Sequence, residues 1–69
     1  MSTANLGNHL KVWRAKANLT QAQLADRVGV TRKTINTVEN QVFIPSTTLA
    51  LKLAQALDTT VEELFFLTE

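Results

Sequence analysis

Arg32, Lys33, Asn36 and Thr37 are the residues whose types and spacing carry a chemistry. On a helix they share one outward face. Arg or Lys donates to guanine O6 and N7, Asn pairs with adenine N6 and N7, and a Thr methyl touches the thymine methyl. Together they are chemically competent to read base edges in a DNA major groove. A merely solvated helix face would have a similar composition. All four on one face, directly after a Gly-containing turn, favour readout.

Other chemistry has little to work with. His9 is the single histidine and sits beside Leu10, where an ordinary surface role is expected. Glu62 and Glu63 are adjacent, so on a helix they point in different directions and make no acid–base pair. They fall in the first turn of a helix, where negative charge suits the dipole. There is no Gly-rich phosphate loop, nucleophile elbow or metal-ligand cluster. Catalytic residues, metals and cofactors are therefore not expected, and the chain does not read as an enzyme.

The readout set needs elements to hold it. Thr20 to Glu39 supplies two short helices and a turn. Thr20 reads as an N-cap, Gln23 completes a capping box, and Leu19 with Leu24 forms a hydrophobic staple. Thr31 is a second N-cap, with Val30 and Ile35 as its staple. Gly29 between them accepts the positive φ that so short a turn requires. Helix, Gly turn and capped second helix are the signature of a helix-turn-helix.

A first helix is expected over about 5–17, with Leu6, Leu10, Trp13 and Ala17 on one inward stripe. Asn18 is a plausible stop, since Asn tolerates the left-handed conformation. The second and third helices span about 21–28 and 32–40. Leu24, Ala25, Val28, Ile35 and Val38 face inward. The loop 41–45 holds Val42, Phe43 and Ile44, of which one or two are expected to plug the core. Ser46 caps a fourth helix over about 47–57. Thr60 and Glu63 box the start of a fifth, with Val61, Leu64 and Phe65 inward. Residues 1–4 are expected to fray. Five short helices with tight links make an all-α fold, and no alternating stretch argues for a sheet.

The chain has 69 residues, expected to form one domain over 1–69, with a helix-turn-helix core at 20–40 and a dimerisation segment at about 60–69. An apolar fraction of 45% is too high for a disordered chain. No cysteine is present, so disulfides and thiolate metal sites are excluded and helix packing must supply the stability. No run of apolar residues is long enough to span a bilayer, and the N-terminus lacks a basic-then-apolar signal pattern. A soluble, cytoplasmic protein is expected. Residues 1–33 carry six cations against Asp26 alone, a net +5, whereas residues 34–69 carry Lys52 against five acids, a net −4. A basic half and an acidic half suit an anionic partner held at one end.

Gln21, Leu24, Ala25, Gly29, Val30, Ile35 and Val38 resemble the helix-turn-helix of phage repressor and Cro proteins, the Cro/C1-type or XRE family. The likeness continues through Glu39, Pro45-Ser46, the Leu-Ala-Leu-Lys-Leu-Ala run at 49–54 and Val61-Glu62-Glu63-Leu64-Phe65. Thr31 to Asn36 and the short tail are similar to small stand-alone regulators of the cytolysin-repressor kind. The resemblance implies a compact five-helix lambda-repressor-like DNA-binding domain, with the chain ends available for a short terminal strand. It implies that Gln21 opens the second helix against a DNA phosphate. It places Thr31, Arg32, Lys33, Asn36 and Thr37 at the groove and Asn40 at the backbone. It also implies a structural clamp from Arg14 to Glu39. Two positions depart from the pattern: relatives usually have Gly at Gln41, and many have Gly at Asp58.

One recognition helix reads only a few base pairs, so two half-sites and a two-fold dimer are expected. One face of the fifth helix cannot bury Leu64, Phe65, Phe66 and Leu67 together. Leu64, Phe66 and Leu67 are therefore expected at the dimer interface. The expected function is a homodimeric, sequence-specific repressor of a palindromic operator in double-stranded DNA. Alternatives are an antitoxin that represses its own operon, or a protein-interaction module without DNA binding.

Overall fold

The computed structural model describes residues 5–68. Residues 1–4, expected to fray, lie outside them. In chain order the elements are β1 (Asn5–Asn8), α1 (Leu10–Lys16), α2 (Gln21–Val28), α3 (Arg32–Glu39), α4 (Thr47–Ala56), α5 (Val61–Leu64) and β2 (Phe65–Thr68).

Five helices are present, and α2 to α5 start directly after their expected cap residues. Thr20 and Gln23 form a full capping box: each side chain accepts from the other's backbone N–H, at 3.1 and 2.9 Å. The hydroxyls of Thr31, Ser46 and Thr60 accept from Thr34, Leu49 and Glu63 N–H. Thr60 caps through its hydroxyl; the reciprocal bond expected from Glu63 is absent among the described residues. The stops share one geometry. Asn18, Gly29, Gln41 and Asp58 all have positive φ, from 55° to 75°. Just beyond each, the next N–H reaches back five residues: Leu19 to Arg14 O, Val30 to Ala25 O, Val42 to Thr37 O and Thr59 to Ala54 O. These are Schellman closures, and three of the four lack glycine.

The N-terminal expectation needs correcting. Asn5–Asn8 is not the first turns of a helix but a strand, paired antiparallel with β2 in the register Asn5–Thr68 to Asn8–Phe65. Gly7 disfavours helix, and Asn8 stops the strand. Its Oδ1 accepts from Leu10 N–H at 3.1 Å, while its Nδ2 donates to Val38 O at 2.9 Å. Leu6 still packs on the core, from a strand instead of a helix. Ala17, placed on the inward stripe by periodicity, is exposed because α1 ends at Lys16.

The core gathers Leu10, Leu24, Ile35, Val38, Leu53 and Leu64, all essentially inaccessible, with Phe65 beside them. Leu64, expected at a dimer interface, is instead fully buried in the chain's own core. Val42, Phe43 and Ile44 do not plug that core: they are 77%, 47% and 69% exposed. The left-handed turn at Gln41 carries the loop outward, and Leu6 and Phe65 reach the core from the sheet instead. Phe66 lies over Gly7, where a Cβ would come within 2.4 Å of its ring. It also stacks on His9 at 4.7 Å between centroids.

Candidate nucleic-acid interface

The second helix of the helix-turn-helix presents its N-terminal half to solvent. Ile35 and Val38 anchor α3 in the core, so the opposite side must face out. Thr31, Arg32, Lys33 and Asn36 are exposed on it, and Thr37 is half-buried at its margin. Arg32 and Lys33 make no ion pair among the described residues. Their long side chains remain available for an anionic or carbonyl-bearing partner.

The smaller polar residues are partly committed. Thr31 Oγ1 accepts from Thr34 N–H at 3.3 Å and lies 3.1 Å from Thr34 Oγ1. Thr37 Oγ1 donates to Thr34 O at 3.0 Å, which leaves its methyl for apolar contact. Asn40, the C-cap of α3, donates from Nδ2 to Asn36 Oδ1 at 3.3 Å. Reading the sequence singles out Asn36 and Asn40 separately; the structure brings them into one contact. Thr34, which bridges Thr31 and Thr37, carried no signal of its own beyond a Thr spacing of three.

Behind this face a charged network locks the helices. Arg14 donates from Nε to Glu39 Oε2 at 2.7 Å and from Nη2 to Oε1 at 3.3 Å. Its Nη1 donates to Leu19 O at 2.9 Å. The two side chains are 15% and 5% exposed, so the pair is largely desolvated. Glu39 Oε1 also accepts from Gln21 Nε2 at 3.0 Å. One carboxylate thus joins α1, α2 and α3. Gln21, half-buried at the first position of α2, keeps a second amide hydrogen for an outside acceptor. The spacing of Gln21 and Glu39 in sequence contains no hint of their contact.

The turn positions α3 relative to α2. Gly29 takes φ +75°, and a Cβ there would meet nothing within 4 Å, so backbone conformation and not crowding is what demands glycine. Of the residues expected at a dimer interface, Leu67 is exposed, Phe66 is 40% exposed under its contacts with Gly7 and His9, and Leu64 is buried. Among the described residues no group of three or more His, Cys, Asp or Glu is placed to hold a metal ion. No helix among them is long and apolar enough to cross a membrane.

Comparison with known proteins points the same way as the geometry. The helix-turn-helix family model matches residues 10–64. An uncharacterized helix-turn-helix-type transcriptional regulator of Archaeoglobus fulgidus is 43% identical over 60 residues, covering 87% of this chain and 84% of the relative. A similarly described regulator of Bacillus subtilis is 39% identical over 62 residues, covering 90% and 94%. Among solved structures, the restriction-modification controller protein C.AhdI of Aeromonas hydrophila superposes with a TM-score of 0.74 at 35% identity, over 78% of each chain. The family match spans the capped helices, the Gly turn and the Arg14–Glu39 clamp, and on that ground the chain belongs to the Cro/C1-type helix-turn-helix family, whose members are DNA-binding regulators and not enzymes.

Proposed function

We propose that the chain is a sequence-specific transcriptional repressor that binds a palindromic operator as a homodimer, with α3 in the major groove. The observation that carries this reading is the exposed N-terminal half of α3. There Arg32, Lys33 and Asn36 project from a helix held by its cap and by the buried Ile35 and Val38. Arg32 and Lys33 are the candidate donors to guanine, Asn36 is the candidate partner of adenine, and the Thr37 methyl is the candidate contact to thymine. Gln21 offers its second amide hydrogen to a phosphate, and Thr31 and Asn40 flank the same surface. The basic N-terminal half of the sequence supplies the attraction to DNA, and the acidic half lies beyond it in the chain. Such a protein acts in the cytoplasm on chromosomal DNA.

The reading is tested by selecting bound duplexes from random DNA and titrating the selected site with salt. An inverted repeat with half-sites about one helical turn apart (~34 Å) is expected. Affinity should fall steeply with salt. Absence of sequence enrichment, with Arg32→Ala and Lys33→Ala leaving affinity unchanged, would remove α3 as the recognition surface.

A further inference from the structure

Asn36 and Asn40 stand one helical turn apart on the outward side of α3, and their side chains meet. Asn40 Nδ2 donates to Asn36 Oδ1 at 3.3 Å, an i, i+4 amide pair of the kind a helix surface supports. The backbone beneath the pair is fixed. Asn40 N–H donates to Asn36 O at 3.0 Å. The left-handed turn at Gln41 follows at once, and Val42 N–H returns to Thr37 O at 2.9 Å. Both asparagines are exposed, so the pair carries no part of the core.

Orientation matters at Asn36 as at no other residue of this face. Arg32 and Lys33 can only donate, whichever way they turn. The Thr37 hydroxyl hydrogen is taken by Thr34 O at 3.0 Å. Asn36 carries an acceptor and a donor side by side on one planar amide, and that amide can be turned two ways. One way, Oδ1 accepts from the N6 amino group of adenine while Nδ2 donates to N7. The other way, Nδ2 faces N6, donor against donor, and adenine loses its partner. An amide oxygen has two lone pairs. The bond from Asn40 uses one and leaves the other, with both Nδ2 hydrogens of Asn36, for a base.

We infer that Asn40 is a positioning residue for base readout: it holds the Asn36 amide in the orientation that pairs with adenine, and so sets the base preference at one position of the bound DNA. The inference rests on α3 lying in the major groove, as proposed above. It gives Asn40 a task beyond the backbone contact that the family resemblance implies. The two tasks are compatible, because Asn40 Nδ2 has a second hydrogen for a phosphate. Without the Asn40 bond the Asn36 amide samples both orientations. Discrimination then falls by about the worth of one exposed hydrogen bond, roughly threefold.

The test first finds the position: selection from random DNA with the wild type and with Asn36→Ala shows which base pair Asn36 reads. Affinity is then measured at one salt concentration for four duplexes that differ only at that pair. The proteins are the wild type, Asn40→Ala, Asn36→Ala and the double variant. Asn40 is exposed and sits at φ −88°, which alanine accepts, so the melting curve of Asn40→Ala should match the wild type. The wild type should favour A·T at this pair by roughly tenfold or more. Asn40→Ala should cut that preference about threefold and leave preference at the other pairs as it was. The double variant should discriminate as Asn36→Ala does, since Asn40 acts through Asn36. If Asn40→Ala weakens all four duplexes by one common factor, or none of them, the inference is overturned and α3 remains the recognition helix. If Asn36→Ala relaxes no position while Arg32→Ala does, the inference is overturned and α3 reads DNA without Asn36. If neither variant relaxes any position, the α3 reading itself falls.

Discussion

Replacing Glu39 by Gln isolates the network that holds α1, α2 and α3 together. The change keeps the shape and removes the charge. In the wild type this carboxylate accepts two bonds from Arg14 and one from Gln21, and its side chain is 5% exposed. After the change the Arg14 guanidinium stays where it is, 15% exposed, with a weak amide acceptor and Leu19 O as its partners. Breaking a buried pair from one side costs about 3–5 kcal/mol, because the surviving charge is left uncompensated. The residual exposure of Arg14 and the remaining amide oxygen put this case near ~3 kcal/mol. A chain of this length has a total stability of about 3–10 kcal/mol, so the loss is a third of it or more. The melting temperature should fall by about 12 °C or more. Urea unfolding at fixed protein concentration measures the change, with Arg14→Met and the double variant Arg14→Met/Glu39→Gln closing a cycle. The double variant should lose less than the sum of the two single ones, since it leaves no orphan charge. A Glu39→Gln loss under about 1 kcal/mol would place the pair with exposed ion pairs and refute the buried-clamp argument.

Other outcomes follow from single contacts. Arg32→Ala should cost roughly 1–3 kcal/mol of operator affinity and relax preference at one base position while leaving the melting curve unchanged. Gln41→Gly should stabilise the fold by about 1 kcal/mol, since a non-glycine residue at φ 63° carries strain that glycine lacks; an unchanged or lower melting temperature would contradict this. Gly7→Ala should destabilise by about 1–3 kcal/mol, because the new methyl displaces the Phe66 ring. Loss of the Phe66 ring-current shift on His9 in NMR spectra should accompany it. Thr20→Ala should cost about 1 kcal/mol, and the double change Thr20→Ala/Gln23→Ala should cost more than Thr60→Ala, since it breaks both bonds of a two-way box and Thr60→Ala only a single hydroxyl bond.

The local grammar was legible residue by residue. A Thr or Ser hydroxyl three residues before a backbone N–H, a Gly at the turn and an apolar repeat of three and four are short-range features. They act within one helical turn, so Thr20, Gly29, Thr31, Ser46 and Thr60 stand where the linear order puts them. The inward positions of α2 and α3 follow from the same periodicity. So do the outward positions of Arg32, Lys33 and Asn36, because a helix anchored by Ile35 and Val38 has only one free side.

Tertiary structure decided the contacts between residues far apart in the chain. Leu6 satisfies a helical repeat as well as it satisfies a strand, and only the arrival of β2 at the far end of the chain selects the strand. Val42, Phe43 and Ile44 look like core residues until Leu6 and Phe65 occupy the space beneath them. Leu64, Phe66 and Leu67 are nearly consecutive and alike in hydropathy. The ladder with β1 sends the last two to opposite faces of the sheet, while α5 buries the first. Glu39 becomes the meeting point of Arg14 and Gln21 because three helices converge on it, a condition that no spacing along the sequence encodes.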